Sequence, residues 1–512
     1  MTVDSHVHAL SQSAQGFVPL IATIAALYVG WRLWAFTISP ALHPDAPKPL
    51  PYKFPFFGHV VGMSKCVGEV LTRGREHFGN TREIFGLTVM GQDMYIATSP
   101  KDVLSIYKET KKLDMNPVIA KIMRDFDCTK ENVQKMFDTT NKPKSWMDTC
   151  HDDFKLQMHP GERLEILQTT VLNNIDRLLQ WDQVVGVKST KGPAKIVSAW
   201  EWCRHALVDG ATRAFFGDAI YRVAPDILSV FYIYDDDAWK QHYNYPKFAA
   251  RNMYEAKEQC LQAWIAYLSL PVEEREDASW IVKKIEQGLK QMGVDEPSQA
   301  APNLLSLHRL VNTNAYRLCF WSLAYILHDP ETIKSIKTEI QPAFKNKILD
   351  MPYLLDHCPS LASFYEEILR YVNDPVGIRE VTEQVSIGGK TLQPGRTLLM
   401  PYRQLHFDTS VFGPNAATFD PHRFLENKSL IRSTSWRPFG GAATHCPGRF
   451  LARREVYMFV ATVLFRYDIR LAPGLDGTTP KFPRLDETIP SGGILSPVAG
   501  DDLLVQIQRI NL

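Results

Sequence analysis

One stretch near the C-terminus gathers residue types that can do chemistry together: Trp436-Arg437-Pro438-Phe439-Gly440-Gly441-Ala442-Ala443-Thr444-His445-Cys446-Pro447-Gly448-Arg449. It reads as a loop of small residues that delivers Cys446 to the first turn of a helix. Pro447 suits that turn, because its fixed φ is helical and its missing N–H would be unpaired there anyway. A sulfur so placed faces free N–H groups and the positive helix end, which favour thiolate over thiol. Gly440, Gly441 and Gly448 remove side chains where a broad, flat ligand would lie against the backbone. A thiolate held this way is a strong axial ligand for haem iron and pushes electron density toward an oxygen bound opposite. For any one of the eight cysteines, a buried structural thiol is the plainer reading; Cys446 differs because a whole frame surrounds it.

That frame resembles the haem-binding loop of the cytochrome P450 superfamily. Phe439 stands seven residues before the cysteine, Gly448 two after it and Ala452 six after it. Two positions depart from the commonest pattern: Ala442 stands where a glycine is usual, and Thr444 where an arginine often binds a haem propionate. The resemblance implies haem b (iron protoporphyrin IX) as cofactor, with Cys446 as the iron ligand and Phe439 in the haem-binding loop. It also implies that Arg379 reaches a propionate, and Arg437 is a second candidate. Guanidinium forks suit carboxylates, and both arginines gain importance with Thr444 in the usual donor's place.

The elements that must position this loop can be traced. Asn303 to Leu327 is the longest apolar helical pattern, stopped by His328-Asp329-Pro330. In the family such a helix crosses the oxygen-binding face of the haem and carries an acid followed by an alcohol. Here the segment reads Asn312-Thr313-Asn314-Ala315-Tyr316-Arg317-Leu318-Cys319-Phe320-Trp321, without that pair. It is similar to the branch with cholesterol 7α-hydroxylase, sterol 12α-hydroxylase and prostacyclin synthase, where an asparagine stands near that place and Phe-Trp follows. The resemblance implies Asn314 as the distal polar, catalytic residue, with Thr313 as its alternative. An amide can hold a water by hydrogen bonds but does not itself pass a proton readily; the bland reading has Asn314 bonding within its helix. Arg317, unusual in so apolar a helix, either turns to a buried acid or meets a substrate oxygen.

Glu367 and Arg370 stand at i,i+3 on one helix face, a spacing that by itself means little. With Arg423 they resemble the superfamily's Glu-Arg-Arg triad, read as structural: it locks the loop beneath the haem. Short strands are expected at Thr81–Phe85, Met94–Ala97, Val385–Ile387, Thr391–Leu392 and Thr397–Met400, with a Gly388-Gly389 turn. Ser99-Pro100-Lys101-Asp102 starts a helix, residues 110–160 read as charged and irregular, and a helix is expected over Pro447–Arg466.

At the N-terminus residues 1–16 are polar, and Phe17 to Trp31 runs without a charge. Residues 17–38 reach the roughly 20 apolar residues of a membrane span if Arg32 extends to the headgroups. A cleaved signal peptide would want a basic start, which is missing, and would expose unpaired cysteines to an oxidising lumen. Residues 39–55 are proline-rich and stiff, a spacer like the hinge of microsomal members. The eight cysteines form no CxxC pair, which argues against a zinc ribbon or disulfide framework, and 57 Lys plus Arg against 56 Asp plus Glu give no field suited to nucleic acid.

The expected molecule is therefore mostly α with a small β region: a cytochrome P450 fold over 56–512 behind a lumenal 1–16, a transmembrane anchor over 17–38 and a hinge over 39–55. The resemblance implies monooxygenation of a hydrophobic terpenoid, sterol-like or polyketide molecule in fungal secondary metabolism. Electrons would come from NADPH through a flavoprotein reductase, NADPH-cytochrome P450 reductase, at the endoplasmic reticulum membrane with the body cytosolic. The alternatives are a haem-thiolate isomerase that uses no external oxygen, and a binding or sensing module without turnover.

Overall fold

The computed structural model describes residues 4–140, 142–474, 477–490 and 492–510. The chain divides into two compact units, Met1–Asp114 with Ile378–Met400, and Met115–Gly377 with Pro401–Leu512.

In the first unit, helix α1 spans Asp4–Leu33, and a π-helical turn Trp34–Ile38 carries it into a last turn at Ser39–Leu42. Pro40 is tolerated because it falls in that turn's first positions, where no N–H is needed. Pro19–Leu42 is long and apolar enough to cross a membrane, and none of it is buried. The foot of α1 is fixed to the proline-rich stretch: Tyr28 Oη donates to Lys53 O at 2.9 Å and Arg32 Nη1 to Tyr52 O at 2.5 Å. Helices α2 (Val67–His77) and α3 (Pro100–Lys108) follow; the Ser99 hydroxyl caps α3, as its sequence requires. The sheet of this unit runs in the order Lys48–Pro49, Phe85–Val89, Gln92–Ile96, Thr397–Pro401, Val376–Val381, Leu113–Asp114. The expected early strands are thus displaced: pairing is Phe85 with Ile96 through Val89 with Gln92, and the turn at Met90-Gly91, both with positive φ, sets that register. The later hairpin falls where expected, Val385–Ile387 against Lys390–Leu392 around Gly388-Gly389.

The second unit is mainly helical. Residues 110–160, expected to be irregular, instead form α4 (Asn116–Asp125), α5 (Lys130–Phe137) and α6 (Trp146–Met158). Local capping overrides their charge: the Thr129 hydroxyl accepts from Asn132 N, and Ser145 with Asp148 makes a reciprocal capping box. Then come α7 (Glu162–Leu178), α8 (Ala199–Phe216), α9 (Ile227–Asp237) and α10 (Arg251–Ser269). The long apolar pattern after them is two helices, α11 (Pro297–Asn312) and α12 (Ala315–His328), interrupted at Thr313–Asn314. Helix α13 (Pro359–Tyr371) carries Glu367 and Arg370. Helix α14 (Arg449–Arg466) starts two residues later than expected, because Pro447 and Gly448 form a turn ahead of it and Gly448 is its N-cap.

Helix α7 lies along α8, α8 along α12, α10 along α9 and α11, and α12 against α14. The core between them is aromatic, with Trp202, Phe216, Trp264 and Trp321 almost wholly buried. A second sheet, in the order Tyr467–Leu471, Leu504–Arg509, Ala194–Ser198, Val187–Lys191, is antiparallel throughout and brings Leu503 beside the start of α8.

Candidate active site

Cys446 lies in a loop closed by its own backbone: Cys446 N donates to Phe439 O at 3.0 Å and His445 N to Ala442 O at 3.2 Å. Closing it needs left-handed backbone at Gly440 (φ 73°) and at Ala442 (φ 52°). A glycine is free to adopt that conformation, and alanine adopts it at a cost of about 1 kcal/mol. Of the eight cysteines, all of them among the described residues, only Cys446 is exposed. It sits two residues before the N-cap of α14 rather than in its first turn, yet the N–H groups of Gly448 and Arg449 both bond its sulfur. Burial of the sulfur among its neighbours pushes the thiol pKa up; those two N–H groups and the Arg449 guanidinium pull it down by less, leaving it raised. The donor set fits a haem iron: an exposed cysteine whose sulfur has N–H groups ready for its negative charge, flanked by the small, exposed Ala442 and Ala443. A facing cation deprotonates such a thiol outright.

The remaining loop residues are held to the scaffold. Phe439 packs against the main core. Arg437 N donates to His406 Nε2 at 3.1 Å, and Arg437 Nε to Thr434 O at 3.1 Å. His406 is wholly buried, and desolvation with nearby Arg370 and Arg403 holds its pKa far below the usual imidazole value, so Nε2 stays an acceptor. Thr444 Oγ1 bonds Gly441 O inside the loop. Arg379 lies on strand Val376–Val381 in the first unit, buried, with its Nη1 on Ile378 O and its guanidinium over the Tyr107 ring.

The triad forms. Glu367 takes Arg370 in a two-pronged ion pair at 2.7 and 2.8 Å and Arg423 Nε at 3.2 Å, with Glu367 and Arg370 fully buried and Arg423 nearly so. The arginines spend their other donors on backbone carbonyls: Arg370 on His406, Ala416 and Thr418, Arg423 on Phe412, Asn415 and Thr418. One carboxylate thereby fixes the segment 406–420, and His406 passes that order on to Arg437.

Asn314 is exposed and caps α12, whose first turn closes by Leu318 N to Asn314 O. Its amide does not bond within the helix. Asn314 Oδ1 accepts from Ile494 N at 3.0 Å, and a Cβ on Gly493 would lie 2.3 Å from that oxygen, which is why a glycine passes there. Thr313 turns the other way, its hydroxyl on Arg309 O and on Asp235. Arg317 meets a buried acid, the first of its two expected fates: Asp235, fully buried, at 3.0 Å.

The structure also connects the two polar centres through a residue that no spacing singled out. Asn373 Nδ2 donates to Pro438 O at 2.8 Å in the cysteine loop, while its backbone bridges to Ile494, whose N–H holds Asn314. Nothing in the pattern Tyr371-Val372-Asn373-Asp374 marks this role.

The comparisons agree with this geometry. The model of the family "Cytochrome P450" matches residues 313–489, the span from the helix break past the cysteine loop. The cytochrome P450 monooxygenase poxD of Penicillium oxalicum is 24% identical over 474 residues, covering 88% of this chain and 93% of the relative. The human 7-alpha-hydroxycholest-4-en-3-one 12-alpha-hydroxylase is 24% identical over 478 residues, covering 86% and 89%. The solved structure of retinoic-acid-bound cyanobacterial CYP120A1 superposes with a TM-score of 0.67 at 15% identity, over 91% of this chain and 99% of that one. Fold and likeness point to a haem-binding oxidoreductase: residues 313–489 match the cytochrome P450 family, and the chain has the fold of a solved member. Its relatives make it a monooxygenase related to fungal secondary-metabolite enzymes and to sterol hydroxylases.

Proposed function

We propose that the protein is a membrane-anchored haem-thiolate monooxygenase acting on a hydrophobic terpenoid, sterol-like or polyketide molecule in fungal secondary metabolism. The observation that carries this reading is Cys446, the exposed cysteine whose sulfur receives two backbone N–H groups. On this reading the Cys446 sulfur would hold the iron of haem b, and Arg437 would hold a propionate. Haem bound there supplies the redox chemistry: with two electrons and two protons, one atom of dioxygen enters the substrate and the other leaves as water. The chain does the rest. The Gly448 and Arg449 N–H groups hold charge on sulfur, Asn314 and Thr313 order the polar side that receives protons, and Glu367, Arg370 and Arg423 keep the cysteine loop in register. Electrons come from NADPH through a flavoprotein reductase.

Membrane attachment is part of the proposal: residues 17–38 span, 1–16 are lumenal, 39–55 act as a spacer, and the body over 56–512 faces the cytosol at the endoplasmic reticulum. The apolar helix Pro19–Leu42 supports it, as do Phe54, Phe56 and Phe57, three exposed aromatics just beyond the fixed foot of that helix. A relative named for hydroxylating a cholestenone supports the substrate class.

The test is reconstitution of the full chain with haem, reductase and isotopically labelled oxygen gas, with profiling of small molecules that change when the gene is deleted. Label is expected in the product only when NADPH, reductase and oxygen are all present. Cys446→Ser is expected to lose the thiolate-type spectrum of the reduced, carbon-monoxide-bound protein, since an alcohol is too weakly acidic to replace the thiol. Full product without reductase or oxygen, or an unchanged spectrum in the serine variant, overturns the proposal.

A further inference from the structure

The break between α11 and α12 has an identifiable cause. Helices are interrupted where side chains enter the i→i−4 ladder, and two carbonyls at this break are taken by side chains. Thr313 Oγ1 donates to Arg309 O at 2.7 Å, and Arg317 Nη1 donates to Thr313 O. Both side chains are in turn held by one carboxylate on α9, 78 residues upstream of Thr313. Asp235 Oδ1 accepts from the Thr313 hydroxyl at 3.0 Å, and Asp235 Oδ2 from Arg317 Nη2 at 3.0 Å and from the Tyr316 hydroxyl at 3.1 Å. Arg309 Nε lies 3.5 Å from Oδ1. From the opposite side, Arg317 Nε donates to Ser496 Oγ at 3.0 Å, two residues beyond the Ile494 N–H that holds Asn314. The carboxylate therefore reaches the residue before Asn314 and, through Arg317, the 494–496 segment that receives the Asn314 amide.

We propose that Asp235 is the positioning residue for the Asn314 amide: by taking the Thr313 hydroxyl and the Arg317 guanidinium it holds the helix break open and fixes where that amide stands. This rests on the reading of Asn314 as the polar residue of the oxygen-binding side. In the resembling family an acid on the helix itself precedes the alcohol; here Thr313 stands at that place and the acid is supplied from another helix, one hydrogen bond away. Asp235 is not the proton source. Desolvation raises its pKa, but Arg317, Arg309, Arg204 and the Thr313 hydroxyl outweigh it and hold it below the usual carboxylate value, so it remains ionised at neutral pH. An ionised acid bound to guanidinium groups orients; it does not donate.

The test uses full-length protein in two states, with and without haem. Amide hydrogen exchange is followed at residues 314–318, and the infrared stretch of carbon monoxide bound to the reduced haem serves as probe of the polar groups facing it. In Asp235→Asn, exchange at 314–318 is expected to rise at least tenfold while α14 is unaffected, and the carbon monoxide band is expected to shift or split. Thr313→Val should reproduce both changes, and Thr313→Ser, which keeps the hydroxyl, should restore both. If Asp235→Asn does not fold, the Val/Ser pair decides the matter alone. Unchanged exchange and an unchanged band in Thr313→Val, or a serine variant no better than valine, overturn the proposal. Asn314→Ala tests the underlying reading separately: if it leaves the band unmoved while Thr313→Val still loosens 314–318, Asp235 holds the break but Asn314 does not face the ligand.

Discussion

Two buried carboxylates in the helical unit are each clamped by a pair of arginines, and they do different things. Glu367 meets Arg370 from its own helical turn and Arg423 from 56 residues on, and both arginines then tie down carbonyls between residues 406 and 418. Asp235 meets Arg309 and Arg317 from either side of a helix break and ties down the break itself. The first clamp collects many backbone groups into one rigid segment; the second sets the conformation of three or four residues. A buried ion pair is therefore not one kind of feature. Its consequence depends on where the remaining donors go, since breaking such a pair strands everything that leaned on it.

The largest effect should come from the Glu367 clamp. Glu367→Ala leaves two buried guanidinium groups without a counter-charge, at about 3–5 kcal/mol, on the scale of a whole domain's stability. Soluble, haem-loaded protein should be absent or sharply reduced on expression; a well-folded variant making altered product would show that this clamp does chemistry and not support. A smaller effect is expected at the other clamp. In Arg317→Met, Asp235 keeps Arg309, Thr313 and Tyr316, so a loss of about 2 kcal/mol is expected in chemical denaturation, with the protein still folded. Equal losses at the two sites would erase the distinction drawn between them.

The smallest effect, and the sharpest control, is a buried acid with no arginine. Glu455 on α14 is almost wholly buried, and among the described residues no ion pair reaches it; desolvation pushes its pKa up to about 8. A carboxyl raised in the folded state binds its proton there while the unfolded chain has lost it. Stability from this group is thus fully present below about pH 4.5 and declines as pH rises toward 8. Glu455→Gln should then equal the parent at low pH and become progressively more stable than it from pH 5 to pH 8, measured by thermal unfolding. Asp235, with its pKa depressed, runs the opposite way: its contribution is present above about pH 3.9 and is lost only as pH falls below that.

How much of this was legible in the sequence follows the same division. Glu367 and Arg370 are three residues apart, a spacing that puts them on one face of a helix, and the cysteine loop carries its geometry in consecutive residues. The Glu367–Arg370 pairing and the loop shape are legible because their determinants are local, although Cys446 stands before the helix and not in its first turn. Arg317 was visibly out of place in an apolar helix, but its partner sits 82 residues earlier and no periodicity points to it. The helix break was hidden for the same reason. Apolar residues continue at helical spacing on both sides of Asn312-Thr313-Asn314, and what interrupts the helix is side-chain bonds arriving from α9 and from the 494–496 segment. The start of α14 was misjudged by two residues because Pro447 is as good in the turn before a helix as in its first turn. The helices of residues 110–160 are legible in Thr129, Ser145 and Asp148, whose caps prevail over the charge that makes the segment look irregular.

The hydrogen bond from Ile494 to Asn314 spans 180 residues of chain and is made by a segment less than twenty residues from the C-terminus. On the ribosome, where a polypeptide emerges N-terminus first, it can close only after the cysteine loop and the Glu367 clamp have been made. The Glu367–Arg370 pair can form as soon as one helical turn exists, whereas long-range closure carries a larger entropic cost and comes later. The amide at the helix break thus acquires its final setting only after residue 494 has been synthesised. A nascent chain stalled before residue 494 would hold the cysteine loop and the Glu367 clamp without the Ile494–Asn314 bond, so the order of synthesis sets the order in which the two polar centres are completed.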